Sequence, residues 1–119
     1  MTSKSVRDSA KDNQRHLSTL VNSNEKTINI IIKHDESFAV VYAISGRDDD
    51  TIIYVGETSD IVRKMRDHLS GNSSFSKKLK IPENELKWYQ IRYRRMANER
   101  QRKLFESYVV GVLKPKFNF

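Results

Sequence analysis

The sequence predicts an α+β fold, a small antiparallel β-sheet flanked by helices. Three observations carry that prediction. Two β-rich runs, residues 38–44 and 51–55, lie either side of a short polar loop containing Gly46, the pattern of a β-hairpin. Apolar residues at about 100° per residue then mark helices. An alternating strand and a last helix complete the order ββ-α-(α)-β-α, which favours helices packed on an antiparallel sheet.

Each element has its own reason. Residues 1–26 are rich in Ser, Asn, Lys and Asp and carry a weak helical pattern through Val6, Ala10, Leu17, Leu20 and Val21. They read as a flexible or partly helical N-terminal arm before a domain spanning 27–119. Ile28, Ile30, Ile31 and Ile32 form a β-branched cluster that predicts a strand, broken by residues 34–37. Residues 38–44 are almost continuously apolar, as in a buried strand. Residues 45–50 are turn chemistry, and Gly56 ends the strand 51–55. Thr58 or Ser59 is expected to cap the next helix, with Asp60 in its first turn. Ile61, Val62, Met65 and Leu69 gather on one side of it, and residues 71–74 stop it. A short helix over 75–80 closes at Ile81-Pro82. Over residues 86–96, Tyr89, Ile91 and Tyr93 point one way and Trp88, Gln90, Arg92 and Arg94 the other. Asn98 caps the last helix, whose apolar stripe is Leu104, Phe105, Tyr108, Val109 and Val112. Pro115 limits its continuation.

Composition narrows the function classes. A chain of 119 residues predicts one domain. Cysteine is absent, which excludes disulfides and a thiolate metal site. No apolar run is long enough to span a bilayer, and the polar start from Met1 to Ala10 lacks the apolar core of a signal peptide. The expected setting is cytoplasmic, or nuclear or viral in a host cell, and not secreted, with no membrane partner. Formal charge is +7, and it is unevenly spread: residues 1–60 hold 7 Lys+Arg against 10 Asp+Glu, and residues 61–119 hold 15 against 5. So basic a half favours a polyanionic partner, nucleic acid first. The plainer alternative is a solvated basic surface.

A phosphodiesterase needs an acidic ligand for a hard cation, a group to activate water and a positive charge on the phosphate. Candidates for each exist. Tyr42 and Tyr54 sit in the paired strands, where a lone tyrosine is ordinarily a core aromatic. Gly56 leads toward a helix start, where backbone can approach a ligand and anions are favoured. Lys64 and His68, four residues apart, share one helix face at the margin of the apolar stripe. Arg63 and Arg66 fall on the opposite edge or the back. Glu106 lies at the margin of the last helix's apolar face and is the best candidate metal ligand. Glu99 is the alternative, but a carboxylate in a first turn has a structural reason to be there. The strand Arg92, Tyr93, Arg94, Arg95 interleaves basic and aromatic residues, which suits a nucleic-acid backbone or, equally, a charged edge strand.

These residues resemble a known family. Val40-Val41-Tyr42 followed by Tyr54-Val55-Gly56 resembles the paired signature of GIY-YIG nucleases. The segment from Thr58 to His68 is similar to the family's next helix. Glu106, then Lys114-Pro115-Lys116-Phe117-Asn118, resembles its late Glu and closing Pro-x-x-Asn. The likeness covers roughly residues 38–119. It implies DNA cleavage with one divalent cation, Mg²⁺ or Mn²⁺, held by Glu106. It gives water activation to Tyr42 with Tyr54 close by, support to His68, and a bracing role to Asn118. The sequence departs from the pattern twice: Val40 replaces the first glycine, and Lys64 stands where the family's phosphate-binding arginine falls. Lysine keeps the charge and loses the planar fork; Arg63 and Arg66 are the other candidates to reach the phosphate.

Three readings follow. The first is a metal-dependent DNA endonuclease using Tyr42, Tyr54, Lys64, His68 and Glu106, with Arg63, Arg66, Arg92, Arg94 and Arg95 on DNA and Gly56 and Asn118 as structural support. The second is a catalytically degenerate relative that binds nucleic acid or a protein partner without cutting. The third is a small interaction module whose motif match is accidental. A nuclease of this size calls for a homodimer to cut both strands.

Overall fold

The computed structural model describes residues 2–119, with side chains from residue 11 onward; those of Val6 and Ala10 lie outside the described residues. Helix α1 (Thr2–Asn22) is followed by strand β1 (Lys26–Thr27), helix α2 (Ile28–Ile31), and strands β2 (Val40–Ser45) and β3 (Ile52–Thr58). Helices α3 (Ile61–Ser70), α4 (Ser74–Leu79) and α5 (Glu83–Leu86), strand β4 (Gln90–Arg95), helix α6 (Glu99–Leu113) and a 3₁₀ turn (Lys116–Asn118) complete the chain. The sheet is antiparallel throughout, in the order β1-β4-β2-β3.

Strand β2 is central and buried on both faces, which explains its continuous apolar sequence. Val40, Tyr42 and Ile44 point to one side, against Ile61, Met65 and Leu69 of α3 and Phe75 of α4. Val41 and Ala43 point to the other, against Leu20 of α1 and Phe105 and Val109 of α6. The sheet therefore lies between two helical layers, with α1 and α6 on one face and α2 to α5 on the other. Residues 1–26, expected as an arm, include Leu17 and Leu20 packed in this second core.

Four expectations change. Ile28–Ile31 is a helical turn, not a strand: Thr27 accepts a bond from the Ile30 N–H, and the i, i+3 pair Ile28 and Ile31 is buried while Ile30 is exposed. Burial at helical spacing outweighs β-branched preference here. Strand β3 runs through Gly56 to Thr58, and the cap of α3 is Asp60, whose side chain accepts from the Arg63 N–H. Gly56 is thus mid-strand rather than at a helix start. The strand expected over 86–96 begins at Gln90, because Glu83–Leu86 form a helical turn that buries Leu86. In α6, Leu104 and Val112 are exposed at 61% and 52%, while Arg102 is buried beside Phe105 and Val109.

Candidate active site

The β2–β3 pairing sets Tyr42 directly across from Gly56. A Cβ on Gly56 would stand 2.4 Å from the Tyr42 hydroxyl and 2.6 Å from its Cζ. The glycine is required because the tyrosine ring crosses it. Tyr42 has no exposed surface, and its hydroxyl lies 2.8 Å from His68 Nε2. His68 Nδ1 meets Ser73 Oγ at 2.5 Å, and Ser73 Oγ meets Ser76 Oγ at 2.9 Å. Ser76 Oγ also donates to the Ser73 carbonyl. The assignment that makes all four bonds runs one way: Ser73 donates to Ser76, His68 Nδ1–H donates to Ser73, and Tyr42 donates to the Nε2 lone pair. Burial first, then the Lys64 charge, lowers the His68 pKa to about 4, so the imidazole is neutral near pH 7.

Tyr54 is half-buried. Its ring stacks on Phe75 at 4.6 Å and lies edge-on to His68 at 5.7 Å. Asn118 braces the strand beside it. Its Oδ1 accepts from the Val55 N–H and its Nδ2 donates to the Val55 carbonyl, both at 2.8 Å. The amide thereby acts as one extra residue on the free edge of β3, satisfying backbone groups that an edge strand otherwise leaves unpaired.

Glu106 comes from α6. One turn earlier, buried Arg102 donates from Nε to Glu57 Oε2 at 2.9 Å and from Nη1 to the carbonyls of Met96 and Ala97. Glu57 follows Gly56 directly in β3, so this pair ties α6 to the strand carrying Tyr54. Glu106 itself is half-buried and makes no ion pair among the described residues. Burial, then the charge of Glu57, raises its pKa; the Glu57 N–H, Lys103 and Lys64 act in the other direction. The Glu106 charge in turn reaches both phenols. Tyr42 is pushed well above its usual range, by burial foremost, then by Tyr54 and Glu106; Tyr54 is raised by burial and then by Glu106.

A carboxylate without a cationic partner, beside a second carboxylate and two phenols, fits a hard divalent cation that brings its own waters. Among the described residues no group of three or more His, Asp or Glu gathers as a protein cage. Tyr42 and His68 are sealed beneath the surface, while Tyr54, Lys64 and Glu106, distant in sequence, are each half-buried.

The sequence model of the GIY-YIG catalytic domain matches residues 38–118. The chain belongs to the GIY-YIG family. No curated protein matches it in sequence. In fold, this GIY-YIG domain is similar to the N-terminal endonuclease domain of UvrC from Thermotoga maritima bound to its catalytic divalent cation, magnesium. The TM-score is 0.59 at 18% identity, covering 77% of this chain and 96% of that one. Two point mutants of the UvrC domain, also with the cation bound, give 0.59 at 17% identity over 77% and 96%, and 0.58 at 18% over 76% and 92%.

The basic residues read as DNA contacts are spread over the GIY-YIG domain. Arg92 pairs with Glu25 and Asp50, and Arg94 donates to His16, both on the face covered by α1 and α6. Arg95 stacks over Phe38, 3.7 Å from the ring centroid. Arg66 donates to the Ile32 carbonyl, and Arg63 is exposed. Val40, in the place of the first signature glycine, is a core residue paired with Thr58. The sequence reading missed Glu57, Arg102 and Ser73. Arg102 carried a usable signal, since it precedes Glu106 by four residues on the same helix face.

Proposed function

We propose that this chain is a metal-dependent DNA endonuclease that hydrolyses phosphodiester bonds. The observation that carries the reading is Glu106, a half-buried carboxylate with no ion pair among the described residues, whose charge reaches Tyr54 and Tyr42. In this reading it lines one cleft with Tyr54 and Lys64, which supplies a cation ligand, a phenol hydroxyl and a positive charge together. Glu106 would hold one Mg²⁺ or Mn²⁺ ion. When bound, the ion supplies positive charge to the phosphate and polarises a water. Tyr54, being half-buried, is the phenol open to a water, and Tyr42 backs it from the core; this differs from the family-based expectation that gives water activation to Tyr42. His68 orients Tyr42 and does not take its proton. Burial holds the Tyr42 phenol well above its ordinary range and the His68 imidazole at about 4, so the proton stays on the phenol. Lys64 attracts the phosphate as a point charge. The magnesium bound to the similar UvrC domain supports the choice of ion. No helix among the described residues is long and apolar enough to cross a membrane, and the basic C-terminal half supports DNA as the partner. One such cleft per chain means that cutting both strands calls for two copies or two visits.

Lys64 also supports a second reading, a domain that binds without cutting. Supercoiled plasmid separates the two. Nicking in Mg²⁺ that stops in EDTA and in Glu106→Ala is expected. Binding without nicking by the wild type, with cutting gained on Lys64→Arg, would favour the binding domain.

A further inference from the structure

Three helices end in a left-handed residue: α3 at Gly71 (φ 83°), α4 at Lys80 (φ 57°) and α6 at Lys114 (φ 47°). Glycine adopts that conformation freely, whereas a side chain there crowds the following carbonyl. Lys114 bears a second constraint, since the ring of Pro115 restricts the residue before it toward extended backbone. Lysine thus occupies two positions where the backbone favours glycine. A residue kept against its backbone preference points to a use for its side chain.

Both positions end or open elements that pack at Tyr54 and its neighbour Phe75. Phe75 of α4 stacks on Tyr54, and Lys80 ends that helix roughly 8 Å further along. Lys114 opens the segment whose Phe117 packs edge-on to Phe75 and whose Asn118 braces Val55. Residues 74–80 and 114–118 together hold Lys77, Lys78, Lys80, Lys114 and Lys116 and no Asp or Glu. All five are exposed, and none makes an ion pair among the described residues.

We propose that Lys80 and Lys114, with their lysine neighbours, form a track that binds the phosphates of DNA beside Tyr54, an inference that rests on the nuclease reading. This track, and not the Arg92 and Arg94 strand, would then be the principal backbone contact.

The test is duplex binding by the full chain in EDTA across a salt series, with thermal melts of the same proteins. Each phosphate contact adds about 0.9 to the slope of log K against log salt. K80A/K114A and K80G/K114G are both expected to lower the slope by about 1.8, and K80R/K114R to keep it. Only the glycine pair should melt higher, by roughly 4 °C or more, because only it relieves the backbone. A wild-type slope in the glycine pair, or a lost slope in the arginine pair, overturns the track. Wild-type protein with no salt-dependent binding at all would instead overturn the nuclease reading beneath it.

Discussion

At the scale of single residues, two positions have effects that the geometry fixes. Gly56→Ala places a methyl 2.4 Å from the Tyr42 hydroxyl and 2.6 Å from Cζ. The expected loss is about 3 kcal/mol, the upper end for overpacking, measured by urea unfolding. Adding Tyr42→Phe should restore little, because the ring carbon remains in the way. If that double variant recovered wild-type stability, the hydroxyl alone would be the obstacle and the account of Gly56 would be wrong. His68 gives a pH signature. Its folded pKa is depressed from 6.5 to about 4, so as pH falls the unfolded chain takes up the extra proton first. The stability it contributes is present above pH 6.5 and is lost between 6.5 and 4, by about 3 kcal/mol. Glu106, whose pKa is raised, acts with the opposite sign in the acid range. His68→Gln should flatten the decline between pH 6.5 and 4. An unchanged decline in that variant would place its source elsewhere.

At the scale of elements, the buried Arg102–Glu57 pair joins α6 to β3. Arg102→Ala leaves Glu57 partly buried without its partner and the Met96 and Ala97 carbonyls without their donor. Breaking such a pair costs about 3–5 kcal/mol. Glu57→Gln added to it should recover part of the loss, since the orphaned charge is then gone; no recovery would mean that Arg102 acts mainly through the two carbonyls. This pair also marks the limit of what the sequence discloses. The hairpin, the α6 cap at Asn98 and the alternation of β4 are legible because local period and turn chemistry determine them. Residues 28–32 read as a strand in sequence because four isoleucines carry β-preference whatever face they bury. The role of Gly56 is not legible in sequence because its cause, the Tyr42 ring, lies fourteen residues away in the chain and one strand away in space. Arg102 reads as one more solvated arginine until Glu57 is brought opposite it.

At the scale of the whole molecule, the layered fold sorts charge in a way that sequence order hides. The C-terminal half is basic, yet Arg92 and Arg94 face α1 and α6 while the lysines of α4 and the closing turn are exposed. Motif order made the GIY-YIG domain over residues 38–118 legible, and Tyr42, Tyr54, Lys64, His68 and Glu106 are the proposed site within it. Their burial differs in ways that spacing does not encode, with Tyr42 sealed in the core and Tyr54 half-open. Glu106 is the residue on which the functional account rests. It is half-buried, unpaired among the described residues and close to the like charge of Glu57, so its charge works against the fold and is expected to be kept for the reaction. Glu106→Gln in metal-free buffer, melted beside the wild type and assayed on supercoiled plasmid after adding Mg²⁺, tests that most directly. The account predicts no cleavage and a melting temperature equal to or above that of the wild type. Cleavage at the wild-type rate, or lost cleavage with a lower melting temperature, would contradict it.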